Sequence, residues 1–238
     1  MSKPKVSVCI PVFNAELWLA ESIQSIIDQT FQDWEIIIYN DCSTDSSLKI
    51  VEHYQKLLGD SKIDLFGKNS PESIGIASAR NQCISHSLGE IICVQDADDI
   101  SHKERLQKTW DFFKRHKTVD LTYGACQYID MLGRPFHEVK ADDFDFERLK
   151  KENWIQHPTV AYRRKAILET PYRSECRVLD DWFMYYDMHK AGKKIMPMQD
   201  TLSFYRVLLN SVSRSPEKAE EIAAMKKKFL EESNNAQS

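Results

Sequence analysis

Residues 90–99 read EIICVQDADD, an apolar run followed at once by three carboxylates, and this stretch decides how the rest of the chain is understood. The run Glu90–Val94 predicts a buried strand. Asp96, Asp98 and Asp99 at its end repel one another and resist desolvation, so a fold keeps them mainly when a cation or hydrogen-bond donors compensate. Their spacing suits a hard, oxygen-liking ion such as Mg²⁺ or Mn²⁺. A solvated acidic turn that caps the next helix is the alternative interpretation.

The first half of the chain alternates between apolar runs and segments with helical periodicity. The predicted strands cover Lys5–Ile10, Glu35–Tyr39, Lys62–Phe66 and Glu90–Val94, and the predicted helices cover Glu16–Gln29, Leu48–Leu58, Gly75–Ser87 and a segment with Leu106, Trp110 and Phe113. We expect Pro11 to end the first strand, because proline cannot continue the ladder of a central strand. This alternation predicts a parallel sheet with helices on both faces and right-handed crossovers.

Polar clusters follow three of these predicted strands. They are Pro11–Asn14, Asn40–Asp45 and Asp96–Asp99. In open parallel sheets, ligands bind beyond the carboxyl ends of the strands, where these three clusters are expected to meet. Their shared location predicts a binding site at this edge and weakens the interpretation of residues 96–99 as a plain polar turn.

The second half of the chain has a mixed pattern. Strands are predicted at Val119–Tyr123, Cys126–Asp130 and Gln156–Tyr162, a short charged helix at Asp142–Asn153, a helix at Leu179–Lys190, and one or two strands within Ile195–Val207. From Pro216 onward a highly charged helix has only Ile222, Met225, Phe229 and Leu230 as an apolar stripe, which predicts a peripheral arm or partner helix. We expect one continuous αβ domain, divided into residues 1–118, 119–214 and 215–238.

Composition excludes several classes of protein. The 32 basic and 36 acidic residues give a net charge of −4, which indicates no nucleic-acid partner. The six scattered cysteines never form a Cys-x-x-Cys pair, which is typical of a reducing compartment rather than of a disulfide framework or zinc site. Neither a signal peptide nor an apolar stretch of membrane-spanning length is apparent. We expect a soluble cytoplasmic protein, and leave open a peripheral contact with the inner membrane face and a homodimer.

The chemistry expected at the strand ends follows from what they lack. The first cluster contains neither the Gly-x-Gly-x-x-Gly of a dinucleotide fold nor the Gly-Lys-Ser of a P-loop. Phosphate would therefore be neutralised by a metal and by a cation such as Arg80. Carboxylates after the second strand suit hydrogen bonding to a base or ribose. The combination indicates a nucleotide diphosphate held partly by a metal.

Several blocks of sequence together resemble the family 2 glycosyltransferases with the GT-A fold. In chain order they are VCIPVFN (8–14), NDCSTD (40–45), ARN (79–81), GEI (89–91), DADD (96–99), VLDDW (178–182), FYR (204–206) and NSVS (210–213). The resemblance covers roughly residues 5 to 214. It implies an α/β fold in which a Rossmann-like, mostly parallel sheet is flanked by helices. Residues 1–118 would bind the nucleotide sugar, and residues 119–214 would form a smaller, mixed half on the acceptor side.

The resemblance also implies roles for the residues at the first two strand ends. Pro11, Phe13 and Asn14 would line the pocket for the base, and Asp41 would bond uracil. Arg80 would approach the nucleotide, although a surface salt bridge is the alternative for this arginine. The implied donor is a nucleotide-diphosphate sugar, most often a UDP-sugar.

The remaining implied roles concern the metal and the chemical step. Asp96 or Asp98 would approach the ribose, and Asp98 or Asp99 would bind Mn²⁺ or Mg²⁺, which stabilises the departing diphosphate. Asp181 would be the base that takes the proton of the acceptor hydroxyl as that oxygen attacks, inverting the anomeric centre. A helix N-terminal acid beside Asp180, favoured by the helix dipole, is the alternative for Asp181.

Three positions depart from the pattern of the family. Asn40 stands where an acidic residue is usual, and Cys42 replaces a common glycine, while Asp41 keeps the position that matters for the base. Leu208 stands where many relatives have a histidine that is linked to the metal or diphosphate. Arg206 or Arg214 would have to substitute for that histidine.

The sequence therefore predicts a metal-dependent inverting glycosyltransferase that acts on a hydroxyl of a saccharide or glycolipid acceptor. A nucleotide-sugar-binding module or degenerate transferase without turnover is the alternative that Leu208 and Asn40 favour. A sugar-phosphate nucleotidyltransferase would need a glycine-rich basic loop after the first strand, and an acidic-cluster phosphatase would need an aspartate where Asn14 stands. His157 could contact the acceptor or phosphate, and Trp154 and Trp182 could stack on a sugar, but structural roles are the commoner reading for all three.

Overall fold

The fold was analysed in a computed structural model, which describes residues 3–67, 72–208 and 218–235. The first half contains β1 (Val6–Val12), α1 (Leu19–Ile27), β2 (Trp34–Asn40), α2 (Ser47–Leu58), β3 (Ile63–Phe66), α3 (Ile76–His86), β4 (Ile91–Val94), β5 (Ile100–Ser101) and α4 (Arg105–Arg115). The second half contains β6 (Leu121–Ile129), β7 (Pro135–Val139), α5 (Phe146–Leu149), a 3₁₀ turn (His157–Thr159), β8 (Ala161–Arg163), α6 (Arg164–Glu169), α7 (Asp180–Lys190), β9 (Ile195–Arg206) and α8 (Ala219–Asn235).

The nine strands of the described residues belong to one sheet with the order β3-β2-β1-β4-β8-β6-β9-β5, and β7 pairs with β6 at the side. The first four strands in this order are parallel, and β6 is parallel to β9. Antiparallel pairs join β8 to β4 and β6, β5 to β9, and β7 to β6. The predicted α/β class with a mostly parallel sheet and helices around it is confirmed.

Two apolar clusters cover the two faces of the sheet. Alternation along β1 sends Val8 and Ile10 into a cluster with α1, α2 and α4, while Cys9 joins a second cluster with α3 and α7. Every residue of β1 and β2 is buried, as expected for parallel strands covered on both sides. Among the described residues, no helix combines the length and apolar character needed to cross a membrane.

The first strand continues through Pro11, so the prediction that Pro11 ends it was wrong. Pro11 pairs with Tyr39 of β2, whereas the pairing of β1 with β4 ends at Cys9. The carbonyl of Cys9 faces β4, where it accepts from the N–H of Gln95 at 3.1 Å. By alternation the nitrogen of Pro11 faces that same side, beyond the last paired residue of β4. The missing N–H of proline therefore removes no ladder hydrogen bond.

The second half was predicted less accurately. One strand, β6, replaces the two expected at 119–123 and 126–130, because Gly124 lets the backbone pass close to β9; a Cβ there would lie 2.6 Å from the side chain of Leu202. Residues 157–159 form a 3₁₀ turn instead of the start of a strand, with Pro158 inside the turn. The charged helix predicted over 142–153 is shorter in the structure and covers only α5, Phe146–Leu149. Strands β5 and β7 and helix α6 were not predicted.

The charged helix α8 is docked, which corrects the prediction of a peripheral arm. Phe229 is 1% exposed, and its ring centroid lies 4.5 Å from that of Trp182 and 5.2 Å from those of Phe183 and Tyr186, all on α7. At the rim, Glu232 accepts from Arg173 at 2.7 Å. Helix α8 therefore covers α7 from outside.

We expect replacement of Phe229 by alanine to lower the free energy of unfolding by about 3–5 kcal/mol, because it leaves a cavity between α7 and α8. Denaturant titration followed by circular dichroism measures the change. The matched control is Leu57→Ala, which truncates a side chain that is 65% exposed on α2 and should change stability by less than about 0.5 kcal/mol. Equal effects of the two variants would show that α8 does not pack on α7 in solution.

Candidate active site

The acidic loop after β4 is shaped from beneath by the buried side chain of Gln95. Its amide nitrogen donates to the carbonyl of Asp99 at 2.7 Å and to the hydroxyl of Ser22 at 3.0 Å. Its amide oxygen accepts from Ser101 at 2.7 Å and from Arg105 at 2.9 Å. This network ties the loop to α1, β5 and α4, so the three aspartates are held in a fixed turn at the carboxyl edge of the sheet.

Arg80 on α3 joins the acidic loop to α7. Its guanidinium donates to Asp96 at 2.9 Å and also to Asp180, and the arginine is 6% exposed. Although burial opposes the charge, Asp180 and Asp96 together hold the pKa of Arg80 well above its usual range. The alternative interpretation of Arg80 as a surface salt-bridge residue is therefore wrong. Arg80 is buried and forms ion pairs with the acidic loop and with the start of α7.

Asp181 follows Asp180 at the start of α7. One carboxylate oxygen accepts from the N–H of Trp182 at 2.8 Å, and the other accepts from the side chain of Asn153 at 2.8 Å. Burial and the neighbouring charge of Asp180 raise the pKa of Asp181 to about 6, against the opposing influence of Arg80. A carboxylate in this state is still mostly ionised at neutral pH and is a stronger base than a solvated aspartate.

Asp98 and Asp99 differ in their surroundings. Burial and the charge of Asp96 raise the pKa of Asp98 to about 6. Asp99 is completely buried, and one of its oxygens accepts from the N–H of Arg206 at 2.8 Å while the other has no hydrogen-bond partner. Burial, together with Asp98 and Asp96, raises the pKa of Asp99. Asp98 is the more accessible member of the pair.

A divalent cation fits this cluster. Burial, and after it the neighbouring charge of Asp96, raises the pKa of Asp98, and the second oxygen of Asp99 has no hydrogen-bond donor. Within the part of the chain that the structure describes, no three His, Cys, Asp or Glu side chains form a complete metal cage. Such a donor set suits an ion like Mg²⁺, which is commonly held by one or two carboxylates and completed by phosphate and water.

The side chain of Arg206, at the end of β9, is held by contacts with other residues of the protein. Its guanidinium donates to the carbonyl of Asp98 at 3.0 Å and to Glu21 at 2.5 Å, and lies 4.4 Å from the ring centroid of Trp18. The arginine is 2% exposed, so the expectation that it replaces a metal-linked histidine is not supported by its placement. The other candidate, Arg214, and the segment 210–213 lie outside the described residues.

The other expected donor residues surround the ends of β1 and β2. Pro11 is buried in β1, and Phe13 is 57% exposed just beyond it. Asn14 has a left-handed backbone (φ +47°), and its side-chain oxygen accepts from the N–H of Thr44 at 2.8 Å. This bond fixes the loop after β1 against the loop after β2.

Asp41 already binds the segment before α3. Its carboxylate accepts from the N–H groups of Ile74 and Gly75 at 2.8 and 3.1 Å and from the hydroxyl of Ser73 at 2.7 Å. The residue is 4% exposed. Asp41 therefore positions the start of α3, the helix that carries Arg80, in addition to any contact with a ligand.

Three residues that could contact the acceptor, His157, Trp154 and Trp182, are engaged by other side chains or backbone groups of the protein. His157 is buried between the hydroxyls of Tyr185 and Tyr172, at 2.6 and 3.1 Å, and burial lowers its pKa well below the usual range. Trp182 is 3% exposed and donates to the carbonyl of Leu149. The guanidinium carbon of Arg148 lies 4.4 Å from the ring centroid of Trp154. The structural reading of these side chains fits their surroundings.

Sequence reasoning missed Asp180 and Asn153 as parts of the site. Asp180 was treated only as a neighbour of Asp181, although it shares Arg80 with Asp96. Asn153 was placed at the end of a charged helix, yet its side chain holds Asp181. The pair of consecutive acids at the start of a predicted helix was the available signal for Asp180. The sequence around Asn153 contains no motif that would have identified this residue as part of the site.

Comparison with known proteins identifies the family. The family model for "Glycosyl transferase family 2" matches residues 7–170. "Putative glycosyltransferase EpsE" of Bacillus subtilis (strain 168) is 40% identical over 192 residues, which cover 78% of this chain and 68% of that protein. "Glycosyltransferase GlyG" of Streptococcus pneumoniae serotype 4 is 27% identical over 225 residues, covering 88% of this chain and 73% of that protein.

Two solved structures share the fold. Residues 1–349 of S. aureus TarS in complex with UDP-GlcNAc superpose with a TM-score of 0.69 at 22% identity, covering 86% of this chain and 59% of that chain. The mannosyltransferase PcManGT from Pyrobaculum calidifontis, in complex with GDP-Man and Mn²⁺, gives a TM-score of 0.62 at 20% identity and covers 86% of this chain and 57% of that chain. The chain thus spans somewhat less than two thirds of each structure, and its fold is GT-A.

We expect Asp180→Asn to lower the free energy of unfolding by about 2 kcal/mol, because the buried guanidinium of Arg80 keeps only one charged partner. Urea titration measures the loss. Asp60→Asn is the matched control, since Asp60 is exposed after α2, and it should change stability by less than about 0.5 kcal/mol. A variant as stable as the control would remove the Arg80 bridge as a feature of the protein in solution.

Proposed function

The chain belongs to glycosyl transferase family 2, and from that premise we propose a metal-dependent, inverting transfer of a sugar from a nucleotide-diphosphate sugar to a hydroxyl group. The bridge from Asp96 through Arg80 to Asp180 carries this proposal. It links the acidic loop, residues 96–99, to the start of α7, where Asp181 follows Asp180 and has a raised pKa that makes it a stronger base than a solvated aspartate.

A UDP-sugar is the donor that we propose, bound by residues 1–118. TarS is described with UDP-GlcNAc and with UDP, which supports this choice, although PcManGT is described with GDP-Man. Pro11, Phe13 and Asn14 would line the base, and Asp41 would bond uracil while it holds the start of α3. Arg80 would lie on the diphosphate side, with its charge already balanced by two carboxylates.

We propose that Asp98 binds Mn²⁺ or Mg²⁺. The second carboxylate oxygen of Asp99, which has no hydrogen-bond partner, supports a cation at this place. Asp96 would approach the ribose. When bound, such an ion would neutralise the charge that develops on the leaving diphosphate. Asp99 also holds Arg206, and through it the end of β9, beside the acidic loop. Replacing Asp99 would therefore disturb the shape of the site as well as any metal contact.

Asp181 is the proposed base. The acceptor oxygen attacks the anomeric carbon from the side opposite the diphosphate, its proton passes to the carboxylate of Asp181, and the bond to the diphosphate oxygen breaks. One displacement of this kind inverts the centre. Asn153 and the N–H of Trp182 orient the carboxylate. Both contacts leave acceptor capacity on its oxygens, because each carboxylate oxygen can accept two hydrogen bonds.

We further propose residues 119–214 as the acceptor side, a saccharide or glycolipid as acceptor, and a cytoplasmic location. The six cysteines are free thiols, which agrees with a reducing compartment. The binding module without turnover is the second candidate, because Leu208 stands where the family often has a histidine. Binding of UDP without hydrolysis or transfer, for every nucleotide sugar tried with Mn²⁺ and Mg²⁺, would favour that candidate.

We expect Asp98→Asn to weaken UDP binding in the presence of Mn²⁺ by about tenfold or more, equivalent to about 1.4 kcal/mol. The reason is that the variant removes the proposed metal ligand, so the diphosphate loses its neutralising ion. Calorimetric titration of UDP with Mn²⁺ and again with a chelator separates the metal-dependent part. Asp60→Asn should retain the wild-type difference between the two conditions. An unchanged difference in Asp98→Asn would remove Asp98 as the ligand.

We expect Asp181→Asn to keep UDP binding and to lower the rate of sugar transfer by about 10²–10⁴-fold, because the amide cannot accept the proton. In the wild-type enzyme kcat/KM should fall as the pH drops through about 6, where both Asp181 and the proposed metal ligand Asp98 become protonated. The rate is measured as release of UDP from a panel of nucleotide sugars. Asp111→Asn, a polar replacement on α4, is the control and should keep both rate and profile. Retained transfer by Asp181→Asn would exclude it as the base.

A further inference from the structure

Three aromatic side chains form a row across the sheet of the second half. Tyr128 of β6 pairs directly with His137 of β7 on one side and with Tyr205 of β9 on the other. Directly paired residues project from the same face of a sheet. The ring centroid of Tyr128 lies 5.7 Å from that of His137 and 5.1 Å from that of Tyr205. Because neighbouring strands are about 4.8 Å apart, the row spans roughly 10 Å.

The row is open to solvent to different degrees. His137 is exposed, Tyr128 and Tyr205 are half-buried, and Phe136 beside them is 59% exposed. The centroid of Phe136 lies 6.3 Å from that of Tyr128. These residues do not belong to either apolar cluster of the core. The sheet thus carries a partly exposed aromatic surface outside the two core clusters.

Hydrogen bonds connect this surface to the proposed base. The hydroxyl of Tyr128 donates to the side-chain oxygen of Gln156 at 2.9 Å, and the amide nitrogen of Gln156 donates to the carbonyl of Trp154 at 3.1 Å. The preceding residue, Asn153, donates to Asp181 at 2.8 Å. One short segment, residues 153–156, therefore touches both the base and the row.

Two described arginines that flank the row, Arg206 and Arg134, are already paired. Arg206, next to Tyr205 in β9, donates to Glu21, and Arg134, before β7, pairs with Asp130. Among the described contacts of Tyr128 are the rings of Phe136, His137 and Tyr205 and the neutral amide of Gln156. A ligand that presents an apolar face with hydroxyl groups at its rim matches such a surface better than a phosphate does.

We propose that the row His137–Tyr128–Tyr205 is the binding platform for the acceptor, and that this acceptor is a neutral saccharide of at least two sugar units. The inference rests on the proposed transferase function and names its acceptor class. The C–H face of one sugar ring packs on Tyr128 and Tyr205. The chain of sugar units then runs along residues 153–156, and its terminal hydroxyl reaches Asp181. The length of the row favours an oligosaccharide over a single sugar.

The test measures saccharide binding directly, so it does not require turnover. Saturation-transfer NMR is recorded on maltotriose, cellotriose, N-acetylchitotriose and glucose, with the protein loaded with UDP and Mn²⁺. We expect at least one trisaccharide to bind, and to bind more tightly than glucose. Tyr128→Ala and Tyr205→Ala should weaken that binding by about tenfold or more. Tyr128→Phe, which keeps the ring and loses only the hydroxyl, should retain most of it.

Tyr54→Ala is the matched control, because Tyr54 is a half-buried tyrosine on α2, and it should leave trisaccharide binding unchanged. Circular dichroism and UDP affinity confirm that each variant is folded. If the enzyme turns over, the ratio of transfer to the bound trisaccharide over hydrolysis of the donor should fall with the alanine variants. Failure of UDP to bind the wild-type protein would instead contradict the proposed function.

Two results would overturn the platform. One is trisaccharide binding that Tyr128→Ala and Tyr205→Ala leave intact. The other is a wild-type protein that binds no trisaccharide. If that protein also sediments with vesicles of phosphatidylcholine and phosphatidylglycerol, and the alanine variants do not, the aromatic surface faces lipid.

Discussion

The double ion pair of Arg80 is the interaction on which the site depends. The buried guanidinium donates to both carboxylates, so loss of either partner removes a charge-assisted hydrogen bond in a medium of low dielectric. Asp96 lies beyond β4 and Asp180 begins α7, so the charge balance of one arginine fixes the distance between the two halves of the site. Asp41 adds to this by holding the residues before α3.

Negative charge is distributed unequally around that bridge. Asp96 and Asp180 share the single positive charge of Arg80, whereas the nearby Asp98 and Asp181 have raised pKa values. The same arrangement therefore produces two kinds of carboxylate, one paired with Arg80 and one with a raised pKa. Groups whose surroundings perturb their pKa are a common property of functional sites. In this chain the perturbation follows from burial first and from neighbouring carboxylates second.

The sequence predicted those parts of the structure whose signal is local. Continuous apolar runs identified β1, β2 and β4, and the rule for parallel sheets placed the polar residues after them at one edge. The pairing of Arg80 with Asp180 joins residues 100 positions apart, and no local pattern reports it. Strand β7 was not predicted because it is an exposed edge strand without apolar alternation. For α8 the apolar stripe was visible, but its partner on α7 was not.

The docking of α8 has a consequence for how the enzyme matures. Phe229 covers Trp182, Phe183 and Tyr186, in the same helix that begins with Asp180 and Asp181. In the order of synthesis α8 follows β9, and domains tend to fold from the amino terminus while the chain is being made. The strands of the first half, which we propose bind the nucleotide, are synthesised first. The helix that carries the proposed base acquires its outer cover only after α8 has emerged, so donor binding would precede full catalytic competence in a nascent chain.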